Sequence, residues 1–240
     1  MRVVISVAGQ GTRMLPLTKN KSKHLIKVKG KPFLFYLLQN LLRAGYKELI
    51  LVVGFKGELI EEFVKRYKFR AKIVNQFEIL GGKEKEYGTL CPIKCVKDIV
   101  GKENFLALYG DNLYSPEDFK RFNIDDKYTY VGAFHHPHPE KYGILIPDEK
   151  GFLKEVIEKP KNPTTDLINC GLYRFTPEVF NVIPKVKKSP RGEYELTDAV
   201  TLLAKKKKVR IKEIKDFWLD FGNPADIMKL SKFFKKHKSF

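Results

Sequence analysis

Apolar positions along this chain follow two alternating periods. Residues 3–7 form a short, nearly continuous apolar run that predicts a buried strand. Between Phe33 and Arg43, Leu34, Leu37, Leu38, Leu41 and Leu42 fall at helical spacing, and Ala44-Gly45 supplies a stop. Residues 49–53 are wholly apolar and read as a strand, and Ile60, Phe63, Val64 and Tyr67 mark a helix over 58–67. Strands are expected at 71–74 and 105–109, with Thr89 between them placed to cap a helix over 90–97. Strands and helices alternating at this rhythm predict an α/β fold with a doubly wound, mostly parallel (Rossmann-like) central sheet. In the second half, 128–134, 151–157, 170–175, 209–214 and 217–221 are strand-like, with helices near 178–183 and 194–204. Asn223 followed by Pro224 reads as an N-cap with proline at the first helical position, opening a final helix to about Lys235. This half is expected to extend the sheet and to add a small ligand-facing lobe.

A chain of 240 residues with 43% hydrophobic content can bury a sizeable core, and it shows no internal repeat and no Ser/Gly linker. One domain over 1–240 is expected, divided near residue 112 into two halves. The first apolar run ends in glycine after a handful of residues, too short for a signal peptide or a membrane span, so a soluble cytoplasmic protein is expected. Cys91, Cys95 and Cys170 form no C-x-x-C pair and read as small buried thiols rather than a disulfide or zinc framework. His135, His136 and His138 lie in a proline-punctuated stretch that favours an extended loop over a metal site.

The formal charge of +18 attracts polyanions at long range. Lysine dominates it, in runs at 205–208 and 235–238 that lack interleaved aromatic residues, so nucleic acid is not expected as a partner. Abundant Lys beside Glu is a composition that proteins from hot habitats share.

Directly after the first strand comes Ala8-Gly9-Gln10-Gly11-Thr12-Arg13, with a second cation, Lys23, one loop further on. Two glycines let backbone N–H groups approach phosphate oxygens, and Arg13 and Lys23 can neutralise charge that develops during phosphoryl or nucleotidyl transfer. A dinucleotide fingerprint would need a third glycine where Met14 stands, and Pro16 occupies the start of its helix. No Gly-Lys-Ser/Thr triplet completes a Walker loop. Taken alone, the two glycines also fit an ordinary tight turn. Ligands collect at the carboxyl ends of parallel strands, which puts this loop and Gly110-Asp111-Asn112 on one rim. Asp111 is there well placed to hold Mg²⁺, although such a tripeptide by itself also reads as a turn.

The longer run, Ala8 to Thr18 followed by Ser22-Lys23-His24-Leu25 and Lys31-Pro32, closely resembles the signature of the sugar-1-phosphate nucleotidyltransferases, the NDP-sugar pyrophosphorylases. It departs at Ser22, where that family usually has proline. Glu86-Tyr87-Gly88-Thr89, Tyr109-Gly110-Asp111-Asn112, Tyr142-Gly143, Glu158-Lys159-Pro160, Asn169-Cys170-Gly171-Leu172-Tyr173, the Arg191 to Asp198 segment and Trp218-Leu219-Asp220-Phe221-Gly222 resemble further family elements in the same order.

The resemblance implies transfer of a nucleotidyl group from UTP or dTTP to glucose 1-phosphate, with Mg²⁺ held by Asp111 and Asp220 and catalysis by Arg13 and Lys23. It implies nucleotide binding by Ala8, Gly9, Gly11, Thr12, Arg13, Gln76, Gly88 and Asp111. Gly143, Glu158, Lys159, Asn169 and Tyr173 are implied on the sugar-phosphate side, in a small sugar-binding lobe. Arg191, Glu193, Glu195 and Asp198 also read as structural groups around a helix start. Gln76 lies twelve residues before Gly88, with an insertion-like stretch at 80–85, so uracil and thymine both stay open. A mannose-1-phosphate guanylyltransferase, a phosphocholine cytidylyltransferase and a basic nucleotide- or RNA-binding module are the alternatives. The family's habit suggests a homo-oligomer, and the chain has no room for the β-helix domain of larger relatives, so acetyl transfer is not expected.

Overall fold

The computed structural model describes residues 1–82 and 85–237. Part of the insertion-like stretch, at 83 and 84, and the end of the second lysine run, at 238, lie outside the described residues. The first half contains β1 (Arg2–Val7), a small hairpin of β2 (Lys27–Val28) and β3 (Lys31–Pro32), α1 (Phe33–Arg43), β4 (Leu49–Val53), α2 (Gly57–Arg66), β5 (Ala71–Asn75), α3 (Gln76–Leu80), α4 (Cys91–Lys94), α5 (Lys97–Val100) and β6 (Phe105–Tyr109). The second half adds β7 (Asn112–Tyr114), α6 (Pro116–Arg121), β8 (Thr129–His135), β9 (Gly143–Pro147), β10 (Leu153–Glu158), β11 (Leu167–Phe175), α7 (Val179–Val182), α8 (Leu196–Ala204), β12 (Val209–Glu213), β13 (Trp218–Asp220) and α9 (Pro224–Lys236).

The central sheet runs β10-β9-β11-β6-β1-β4-β5, with β8 pairing β11 and β12. Its core, β6-β1-β4-β5, is parallel, as the strand–helix rhythm predicts. β11 then joins β6 antiparallel and carries β8 and β9, so the second half extends the sheet in the opposite sense. β4 is buried at every position because helices cover both faces. On α1, Leu34, Leu37, Leu38 and Leu41 are fully buried, each worth about 2 kcal/mol of transfer free energy, while Leu42 is 42% exposed and falls outside the buried stripe. Gly45 ends α1 at φ 92°, and its amide bonds the Leu42 carbonyl at 2.9 Å.

Two expectations change. The stretch 90–97 is not one helix but two short ones, α4 and α5, and Thr89 caps neither. Its hydroxyl instead accepts the Leu196 amide at 2.8 Å, serving the start of α8 more than a hundred residues away. Residues 217–221 are extended, but β13 pairs only with β7, in a separate antiparallel ribbon. The Tyr114 hydroxyl of β7 and the Trp218 indole of β13 both donate to the Cys170 carbonyl, at 2.6 and 3.0 Å, fastening that ribbon to β11. α9 begins as expected at Asn223-Pro224: the buried Asp226 carboxylate accepts the Gly222 and Asn223 amides at 3.0 and 2.8 Å.

Under the far end of β11 lies Arg174, fully buried. It donates to the carbonyls of Ile124 and Asp126 at 2.9 Å each, to the Tyr128 carbonyl, and to Asp126 Oδ1 at 3.5 Å. All three cysteines are buried free thiols, as expected. Among the described residues, no helix is long and apolar enough to cross a membrane.

Candidate active site

Parallel register decides where the chemistry gathers. Val7 of β1 aligns with Val53 of β4, Ser6 aligns with Tyr109 of β6, and the Gly110 amide bonds the Ser6 carbonyl at 2.8 Å. The chain therefore leaves β1 and β6 on the same rim, one exit carrying Ala8 to Arg13 and the other Asp111. Gly11 adopts φ 65°, and a Cβ there would come within 3.1 Å of Lys23 Cβ and Thr18 Cγ2. Thr18 Oγ1 donates to the Gly11 carbonyl at 2.9 Å, and buried Met14 anchors the turn that presents Thr12 and Arg13 to solvent. Beside Gly9 the nearest atom to such a Cβ is Lys23 Cε at 3.9 Å, so the two cations and the glycine loop share one space.

Lys23 forms an ion pair with Asp111. Ser22, which replaces the family's proline, is fully buried and its hydroxyl meets His24 Nδ1 at 2.8 Å. Burial pushes the His24 imidazole down to about 3, with the Lys23 charge adding to the effect, so this ring is neutral. Its edge would lie 3.2 Å from a Cβ on Gly110, so His24 packs under the turn that carries Asp111.

The ribbon brings the second aspartate to the first. Asp220 opposes Asn112 in the β7–β13 register, and the Phe221 amide bonds the Asp111 carbonyl at 2.8 Å. Burial, and then the charges of Asp111 and Asp226, push the Asp220 carboxyl up to about 7, while Lys23 and Arg13 pull against them. At Asp111 burial also works upward, but the Lys23 ammonium outweighs it and holds that carboxyl below its ordinary range. A Cβ on Gly222 would sit 3.2 Å from Asp220 Oδ2 and 3.4 Å from Arg13 Nη2. Arg13, Lys23, Asp111 and Asp220 therefore converge on one spot. Among the described residues, no group of three or more His, Cys, Asp or Glu is arranged to hold a metal.

A second wall comes from the antiparallel half. Gly143 and Glu158 are register partners on β9 and β10, and a Cβ on Gly143 would press to 2.9 Å from Glu158 Oε2. Burial pushes the Glu158 carboxyl up, against the pull of Lys159 and Arg191. Lys159 takes the left-handed conformation at φ 44°, and its amide bonds the Tyr142 carbonyl at 3.0 Å. Asn169 accepts the Gly171 amide at 3.0 Å and donates to the Tyr173 hydroxyl at 2.7 Å. Tyr173 itself is fully buried. It stands behind Asn169 and supports it rather than facing a ligand.

Beside the glycine loop opens a cleft of about 410 Å³, lined by Gln10, Gly11 and Thr12 on one side and by Tyr87, Arg191, Gly192 and Glu193 on the other. Arg191 and Tyr87 thus belong to the candidate site although neither was named for it from sequence. The signal was present in the Arg191-Gly192-Glu193 segment, which also reads as helix-start chemistry. Gln76 sits 98% buried beside Ala8, both against Gly54, and its Oε1 has no hydrogen-bond partner among the described residues. Gly88, at φ 135°, packs so close to Tyr194 that a Cβ would come 2.2 Å from the Tyr194 carbonyl oxygen. A larger cavity, about 780 Å³, lies elsewhere around Lys97, Asp126, Thr176 and Phe180 and contains none of the predicted site residues.

Comparison with known proteins gives the family. The chain is 35% identical over 234 residues to the bifunctional protein GlmU of Methanocaldococcus jannaschii, covering 97% of this chain and 54% of that protein. It is 33% identical over 238 residues to the UTP–glucose-1-phosphate uridylyltransferase AglF of Haloferax volcanii, covering 94% of this chain and 93% of that one. It thus spans about half the length of the GlmU relative and nearly all of AglF. A crystal structure of UDP-glucose pyrophosphorylase complexed with UDP-glucose shares the fold at a TM-score of 0.82 and 22% identity, with 98% of each chain covered. The sequence pattern of the family described as nucleotidyl transferase matches residues 2–237, and the chain belongs to that family.

Proposed function

We propose that this protein is a sugar-1-phosphate nucleotidyltransferase converting UTP or dTTP and glucose 1-phosphate to the NDP-glucose and pyrophosphate. The observation that carries this reading is the convergence of Arg13, Lys23, Asp111 and Asp220 at the rim beside the glycine loop. Likeness to AglF over nearly its whole length supports glucose 1-phosphate and UTP as the first pair to test.

A phosphate oxygen of the sugar ester attacks the α-phosphorus, the bond to the β-phosphate oxygen breaks, and pyrophosphate leaves with the electron pair. The attacking oxygen is already ionised at neutral pH, so no general base is needed and catalysis reduces to positioning and charge stabilisation. Arg13 and the Gly11 and Thr12 amides stabilise the departing pyrophosphate. Lys23 has three donors, so it engages a phosphate oxygen while keeping Asp111. Lys159 and Arg191 hold the sugar phosphate, Glu158 and Asn169 accept from or donate to sugar hydroxyls, and Ala8, Gly9, Gln76 and Gly88 seat the nucleotide.

The donor set fits Mg²⁺: two neighbouring carboxylates, one of them pushed up by burial and by the charge of the other, suit a hard cation that takes its remaining ligands from water and phosphates. Held by Asp111 and Asp220, it supplies charge neutralisation at the α-phosphate. The test is a matrix of purified protein, Mg²⁺, each NTP and several sugar 1-phosphates, scored by pyrophosphate release. Release that requires both a pyrimidine NTP and glucose 1-phosphate is expected, and no release from any pair overturns the reading.

A further inference from the structure

The segment 86–90 and the segment 189–196 form one continuous wall of the cleft, although a hundred residues separate them. Main chain holds them first: the Tyr194 amide bonds the Tyr87 carbonyl at 2.8 Å, and the Leu90 amide bonds the Tyr194 carbonyl at 3.0 Å. Gly88 makes this closeness possible, since any side chain there would collide with the Tyr194 backbone.

A single carboxylate then links the side chains. Glu195 is only 8% exposed. Its Oε2 accepts the Thr89 hydroxyl at 3.2 Å, and its Oε1 accepts Arg191 Nη2 at 2.8 Å and the Ser189 hydroxyl at 3.2 Å. Thr89 is itself fixed from the other side by the Leu196 amide at 2.8 Å. One oxygen thus addresses the segment beside the nucleotide, and the other addresses a cation in the cleft. A buried carboxylate surrounded by donors keeps its geometry, because losing any one partner leaves part of its charge unmet. Arg191 is half-exposed on the cleft side, where a second ligand's phosphate would meet it.

We propose that Glu195 is a positioning residue that couples the two substrate subsites: seating the nucleotide against Tyr87 and Gly88 steadies Thr89 and Glu195, and thereby sets Arg191 for the sugar phosphate. This rests on the proposed transferase activity. Coupling of this kind is reciprocal, so the sugar phosphate tightens nucleotide binding by the same factor. A merely structural Glu195 would lower stability without linking the two affinities.

The test is calorimetric binding of glucose 1-phosphate to the whole chain with Mg²⁺, with and without a non-hydrolysable UTP analogue, alongside steady-state kinetics. In the wild type the analogue tightens glucose 1-phosphate binding by about 5-fold or more. Thr89→Val keeps the Arg191–Glu195 pair but removes the link to the nucleotide segment. It abolishes that tightening and raises KM for glucose 1-phosphate about 10-fold at saturating UTP, and Thr89→Ser restores both. Glu195→Gln gives the same loss of coupling with a larger rise in KM, and circular dichroism shows each variant folded. Undiminished tightening in folded Thr89→Val overturns the proposal, as does a wild type that binds both ligands independently. A wild type that releases no pyrophosphate with any substrate pair overturns the transferase reading itself, a failure separable from these.

Discussion

The charges around Arg174 and those at the rim are held on opposite terms. Around Arg174 the guanidinium meets three backbone carbonyls and the Asp126 carboxylate, which in turn accepts the Tyr130 hydroxyl at 2.7 Å and the Tyr128 amide at 2.9 Å. Each charge there has fixed partners supplied by the fold. At the rim, two carboxylates lie side by side and one is pushed up to about 7, while the cations opposing them sit on long flexible stems. The first arrangement completes itself within the protein. Under the proposed function, the second is completed by a ligand that brings positive charge to the aspartates and negative charge to Arg13 and Lys23.

That contrast sets the experiments. The largest effect belongs to the metal: chelation should reduce pyrophosphate release by more than about 10³-fold and added Mg²⁺ should restore it, with the melting curve of the ligand-free protein unmoved. Next, Arg174→Met should cost about 1–3 kcal/mol in a denaturant titration, since it strips the donor from the carbonyls of Ile124, Asp126 and Tyr128, yet leave kcat of the folded fraction intact. A kcat loss in folded Arg174→Met would erase the distinction between the two places. Arg13→Ala should do the reverse, lowering kcat by about 10²-fold, or about 2.7 kcal/mol, with little change in Tm; unchanged turnover would remove Arg13 from the chemistry. Asp226→Ala should cost about 1 kcal/mol through the lost cap of α9.

The finest probe is pH. Burial holds His24 down at about 3, so the native protein declines a proton that the unfolded chain accepts near 6.5. This contribution is fully present above pH 6.5 and is lost as pH falls toward 3. His24→Gln should therefore flatten stability against pH over that window by up to one proton's slope, read by urea titrations at several pH values.

Much of the parallel core was legible because its signals are local. The apolar run at 49–53, the leucine spacing of α1 and the glycine turn after β1 each specify their own conformation within a few residues. What escaped depends on partners distant in the chain. β7 and β9 are only three and five residues long, and nothing in their own composition announces whom they pair. Thr89 has the chemistry of a cap, but the helix it serves lies at 196, which no local window contains. Tyr173 shares a motif with Asn169, yet an irregularity in β11 between them and packing against Tyr109 place its ring in the core. The site residues followed the same division. Arg13 and Asp111 were placed on one rim by a rule about parallel strands and Lys23 stood one loop further on, whereas Asp220 came only through resemblance, because a ribbon outside the main sheet delivers it.

That ribbon also bears on synthesis. A nascent chain still lacking Trp218 to Asp220 can already pair β1, β4, β5 and β6 and can already expose the glycine loop, but it owns only half of the acidic pair. Under the proposed function, a chain terminated ahead of Trp218 should therefore release no pyrophosphate, and it also lacks Phe221 and Phe234, which pack on Phe33 and Tyr36 of α1.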